Sequence, residues 1–152
     1  MCATTTTDYE TIVIGSGFAG LGMAIKLKQA GEDNFLVLEQ ADSVGGTWRA
    51  NTYPGCACDV PSHLYCFSFE PNPNWSRMFA SQPEIRAYLE HCTDQYGVRA
   101  HIRFNAPVTA ARFDEDAALW HVEAGDWTNE EEWLIEELAG DRYAGGAWNC
   151  KR

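Results

Sequence analysis

The sequence predicts an α/β fold built on a parallel sheet, and three observations carry that prediction. Glycines at 15, 17 and 20 follow directly on the apolar run Ile12-Val13-Ile14. Leu21, Ala24 and Ile25 then recur at helical spacing, with Met23 and Leu27 widening the apolar face. A second apolar run, Phe35-Leu36-Val37-Leu38, ends in the acid Glu39, 19 residues beyond Gly20. Strand, G-x-G-x-x-G, helix, strand and acid, in that order, make a Rossmann-like βαβ unit.

The elements follow in chain order. Residues 1–8 form a polar, Thr-rich lead-in, and Tyr9 to Ile14 reads as a short buried strand. In Gly15-Ser16-Gly17-Phe18-Ala19-Gly20 each glycine has its own task. Gly15 permits the tight turn, Gly17 lets backbone approach a pyrophosphate, and Gly20 lets the helix pack closely on the strand. Phe18 and Ala19 open the helix, whose free N–H groups and dipole favour an anion. Gly31 can end it. Glu39, closing the second strand, is placed to accept hydrogen bonds from both hydroxyls of an adenosine ribose, and its charge repels a 2′-phosphate. The dinucleotide of this site is then FAD or NAD, and not NADP.

Just downstream runs Gly45-Gly46-Thr47-Trp48. Two consecutive glycines let backbone pass close to a large planar ligand, and Trp48 offers an aromatic wall, an arrangement that suits FAD. The block continues to Tyr53-Pro54-Gly55 and Asp59. Taken singly, Asp59 reads as a turn cap and Trp48 and Tyr65 as core aromatics.

Taken as one spaced set, Gly-Gly-x-Trp-x4-Tyr-Pro-Gly-x3-Asp over Gly45–Asp59 resembles the Baeyer–Villiger flavin monooxygenases. The similarity covers roughly residues 9–123, through Asp59-Val-Pro-Ser62, Trp75-Ser76, Gln82-Pro83-Glu84 and His101-Ile-Arg-Phe104. The resemblance implies that Gly15, Gly17, Gly20 and Glu39 hold the ADP half of FAD, with Val108 near the adenine. It implies that Gly46, Thr47, Trp48, Asp59 and Tyr65 lie along the flavin side, Asp59 positioning an essential arginine. It also implies NADPH as reductant, O2 as co-substrate and a small-molecule ketone converted to an ester or lactone. Flavin-containing and N-hydroxylating monooxygenases share the fingerprint and Gly-Gly-x-Trp, but not the Tyr-Pro-Gly-x3-Asp part.

Within the span 9–123, the spacing predicts an inserted amphipathic helix over Ser81 to Tyr96. A capping box of Ser81 and Glu84 opens it, Pro83 lies in its first turn, and Gly97 closes it. Ala110 to Phe113 and Leu119 to Val122 read as a β-hairpin with an acidic turn.

After the hairpin the pattern changes. Residues 114–141 carry eleven of the 22 acidic side chains and no Lys or Arg, so they account for the whole net charge of −11. Asp126 to Gly140 reads as an acidic helix, with a degenerate closing strand at Trp133-Leu134-Ile135 as the alternative. Neither a second G-x-G-x-x-G for NADPH nor the family's arginine is found, so the fold is incomplete relative to the family. The expectation is a chain inactive alone, with 124–152 a divergent acidic tail from truncation, frameshift or a genuine extension. Its alternatives are a non-catalytic FAD- or ADP-binding module, or a half-enzyme needing a partner chain with the nicotinamide-binding half. The acidity argues against nucleic acid or an anionic membrane as partner. Six cysteines without a zinc spacing or a secretory signal read as reduced thiols, with no metal, in a cytoplasmic protein.

Overall fold

The computed structural model describes residues 8–125 and 132–136. Strands β1 (Thr11–Ile14), β2 (Phe35–Leu38) and β3 (Ile102–Arg103) form a parallel sheet in the order β1-β2-β3. Thr11 pairs with Phe35 through to Ile14 with Leu38, and Val37 pairs with Ile102. Helix α1 (Phe18–Gln29) crosses between β1 and β2, and α3 (Gln82–Gln95) packs beside it. Strand β3 had no readable signal, because two residues are too few to establish a period.

All four residues of β2 are buried, as expected for a strand covered on both faces. Phe35 and Val37 join Val13, Leu21, Ile25, Ile85 and Leu89 in the main core under the helices. Leu36 and Leu38 point the other way, against Ala106, Val122 and Ala124. The second layer is the expected hairpin, β4 (Val108–Asp114) and β5 (Leu119–Gly125), extended by β6 (Glu132–Glu136) into an antiparallel sheet.

Strand β6 corrects the expected acidic helix over Asp126 to Gly140. Trp133 pairs with Ala124, and Ile135 pairs with Val122. Tertiary pairing decided the outcome: the free edge of β5 offers backbone partners to a segment with β-forming Trp and Ile. Residues 126–131 and 137–140 of the expected helix lie outside the described residues.

The start of α3 also differs from the expected capping box. Ser81 is the N-cap, but its side chain makes no cap hydrogen bond. The Glu84 arm of the box does form, its carboxylate accepting from the Ser81 backbone, and it also accepts the Ser76 N–H at 2.9 Å and the Ser76 hydroxyl at 2.8 Å. These bonds, the Ser76 N–H first, hold the Glu84 carboxyl below its ordinary range. A lowered carboxyl stabilises the fold above its unfolded pKa, and that contribution is lost as pH falls through the folded value. Urea midpoints should therefore drop on acidification below about pH 4. Glu84→Gln should flatten part of that drop, and an unchanged profile would count against it.

Among the described residues Cys56, Cys58, Cys66 and Cys92 are free thiols. None of the described helices is long and apolar enough to cross a membrane.

Candidate dinucleotide site

The site is built where β1 runs out. Gly15 takes φ +91°, and its N–H donates to the Leu38 carbonyl at 2.7 Å, tying the turn to the end of β2. A Cβ at Gly20 would sit 1.8 Å from the Gly15 carbonyl oxygen, so only glycine lets α1 approach this turn. Gly17 is the N-cap of α1.

The second glycine pair docks on the first. Gly45 N–H donates to the Ser16 carbonyl at 3.0 Å. Gly46, at φ 51° and ψ −120°, brings its backbone so close that a Cβ there would lie 2.9 Å from the Gly17 Cα. Backbone therefore lies against backbone, and α2 (Thr47–Ala50) starts directly from the contact.

Glu39 closes the same corner and is buried. Its Oε2 accepts the Ser16 N–H at 2.7 Å and the Ser16 hydroxyl at 2.6 Å, while Oε1 accepts the Ala41 N–H at 2.8 Å. The carboxylate expected to be open toward a ligand is thus already engaged by the fingerprint loop. Just beyond it lies a cavity of about 310 Å³ lined by Gln40, Ala41, Asp42, Arg49 and Asn105. Arg49 is fixed there by Asp42, with its Nη2 at 2.8 Å, and by the Ser43 hydroxyl at 3.0 Å from its Nε. Sequence reasoning missed this lining, because its residues come from three separate segments and match no motif.

Trp48, Tyr65 and Phe18 come together as a set. The Trp48 indole N–H donates to the Tyr65 hydroxyl at 3.0 Å, and the Tyr65 ring meets Phe18 edge-on at 4.9 Å. Burial pushes the Tyr65 hydroxyl above its usual pKa. Trp48 is 8% exposed and belongs to the main core, so it is a buried floor more than an open wall. The Gln82 side-chain amide donates to the Trp48 carbonyl. Thr47 and Ala19 are exposed, and Val108 is half-buried at the start of β4.

Asp59 is exposed, on the loop after Tyr53-Pro54-Gly55. That loop is clamped by buried Ser62, whose Oγ accepts the Ala80 N–H at 2.7 Å and donates to the Met78 carbonyl at 2.8 Å. Ser62→Ala leaves a buried N–H without its acceptor and should cost about 1–3 kcal/mol. A urea midpoint equal to that of the parent would exclude the clamp.

Comparison with known proteins places this geometry. Residues 13–81 match the NAD(P)-binding Rossmann-like domain family. A Baeyer–Villiger monooxygenase of Streptomyces coelicolor is 59% identical over 111 residues, covering 73% of this chain and 21% of the relative. The chain is a homologue of one part of the Baeyer–Villiger monooxygenases. Among solved structures, an oxidized steroid monooxygenase bound to NADP superposes with TM-score 0.76 at 40% identity, covering 85% of this chain and 25% of that one. The OTEMO complex with FAD and NADP gives TM-score 0.73 at 40% identity over 84% and 24%. The chain thus spans about a fifth to a quarter of the length of these relatives.

Proposed function

We propose that this chain is the FAD-holding part of an NADPH- and O2-dependent monooxygenase that converts a ketone to an ester or lactone. The observation that carries the reading is the close backbone contact of Gly46 with Gly17, beside a buried acid at the end of β2. A Cβ at Gly46 would meet the Gly17 Cα at 2.9 Å, so glycine there lets the second loop dock against the α1 N-terminus, the end of the helix that suits a pyrophosphate. Residues 9–123 hold the dinucleotide, with 124–152 as an acidic segment following it.

Bound there, FAD would supply the redox chemistry by which O2, with NADPH as the reductant, oxidises the ketone. The residues of this chain bind and orient. Gly15, Gly17, Phe18, Ala19 and Gly20 present the α1 N-terminus to the pyrophosphate. Glu39 takes the ribose hydroxyls by exchanging its bond from the Ser16 hydroxyl. Val108 borders the adenine. Gly46, Thr47, Trp48 and Tyr65 line the flavin side, and Asp59 orients an arginine that comes from outside this chain. No nucleic acid and no membrane takes part, and no metal is used.

The nicotinamide-binding half comes from further polypeptide, as a partner chain or as the rest of a longer protein. Support for that half comes from Val60, next to Asp59 in the chain, and from Leu64 and Met78, apolar side chains 37%, 75% and 65% exposed that further polypeptide could cover. The reduced thiols suit the cytoplasm.

Calorimetric titration tests the reading. FAD and ADP should bind, whereas FMN, which lacks the adenosine, and NADP+, whose 2′-phosphate meets Glu39, should not. Tight NADP+ binding, or no binding of ADP, would contradict it. The chain alone should show no NADPH-dependent ketone oxidation, and turnover would refute the assignment of the nicotinamide site to other residues.

A further inference from the structure

We propose that Trp48, Tyr65, Tyr88 and Tyr96 form a relay that carries oxidising equivalents, one electron at a time, away from the dinucleotide site to Glu70. The proposal rests on the reading of FAD as the bound dinucleotide, with its ring end beside α2.

Indole and phenol are the aromatic side chains that give up an electron most readily, and here they are connected. Trp48 is hydrogen-bonded to Tyr65 at 3.0 Å, with ring centroids 5.6 Å apart. Phe18 bridges onward, 4.9 Å from Tyr65 and stacked 6.1 Å from Tyr88. Tyr88 and Tyr96 then converge on one residue. The Tyr88 hydroxyl donates to the Glu70 backbone carbonyl at 2.7 Å, and the Tyr96 hydroxyl donates to the Glu70 carboxylate Oε2 at 2.7 Å. Phe67 and Phe69 fill the space between, with rings stacked at 4.9 Å. Dense packing alone explains neighbouring rings. It does not require Trp48 to meet Tyr65 through their polar ends, or the Tyr88 and Tyr96 hydroxyls to converge on one residue.

That carboxylate marks the outer terminus. A phenol that loses an electron must also lose its proton, and of the relay phenols Tyr96 is the one that donates to a carboxylate. Glu70 Oε1 in turn lies 3.7 Å from Nε2 of exposed His91, a route for the proton to water. Trp75, 5.5 Å from Tyr88, is a branch without such an exit, because its buried indole N–H has no acceptor. The balance is one electron and one proton. The oxidant at the site, an oxygen-centred radical or light-excited flavin, gains an electron. Tyr96 loses that electron, its proton passes to Glu70, and a neutral phenoxyl radical remains.

The test uses light-excited FAD as the oxidant. The chain is loaded with FAD, freed of excess, illuminated with blue light and frozen for electron paramagnetic resonance. A long-lived tyrosyl radical is expected, lost in Tyr96→Phe and in Glu70→Gln while the bound flavin absorbance is unchanged. A signal that survives either substitution with flavin still bound would overturn the relay, as would no tyrosyl signal in the parent chain. Failure to take up FAD would overturn the relay together with the reading beneath it, and the absorbance separates that case from the others.

Discussion

Gly20→Ala is expected to be among the most damaging single substitutions in this chain. Alanine favours a helix interior over glycine by about 1 kcal/mol, so propensity alone predicts stabilisation. The added Cβ, however, would lie 1.8 Å from the Gly15 carbonyl oxygen and 2.9 Å from its carbon, both backbone atoms that cannot swing aside. Relief requires α1 to lift from the β1 turn, which opens the packing of Leu21, Ala24 and Ile25, all fully buried. Overpacking of this kind costs about 1–3 kcal/mol or more, a large part of the roughly 5–15 kcal/mol that holds a domain together. The urea midpoint should fall accordingly, together with flavin uptake. A variant as stable as the parent would mean that α1 does not sit on Gly15 as described.

Glu39→Gln should act on binding and stability together. The carboxylate accepts three hydrogen bonds, from Ser16 N–H, Ser16 Oγ–H and Ala41 N–H, at 2.6–2.8 Å. An amide presents a donor on one side, so at least one buried N–H or hydroxyl is left without its acceptor, at about 1–3 kcal/mol. On the ligand side, a ribose hydroxyl donating to a charged acceptor is worth about 1.5–3 kcal/mol, or roughly tenfold or more in the Kd for FAD. Titration of FAD into the folded variant reads the second effect, and a denaturant melt the first. FAD affinity equal to that of the parent would remove Glu39 from the binding site and leave it a brace for the fingerprint loop.

The βαβ unit and the glycine spacing were legible because each states its physics locally. The runs at Ile12 and Phe35 are short, apolar and bounded, and Gly20 follows Gly15 at the fingerprint offset. The partner of Gly46 was not legible, since a glycine pair announces a close approach without saying to what. The engagement of Glu39 by Ser16 had no signal either, because a serine in a turn is unremarkable until the carboxylate is seen beside it. Arg49 and Asn105 line the same cavity from segments far apart in sequence, joined only by the fold. The acidic helix read over Asp126 to Gly140 was overruled at Glu132–Glu136, where pairing to β5 outweighed local propensity. Trp48, read as a wall, lies mostly within the core, because α2 turns its indole toward Tyr65.

The most direct test of the central claim is a visible absorption spectrum of the purified chain after FAD is added and the excess removed. A retained flavin spectrum is expected, absent in Gly46→Ala, whose Cβ would meet the Gly17 Cα at 2.9 Å. A chain that is folded by circular dichroism yet emerges colourless would contradict it.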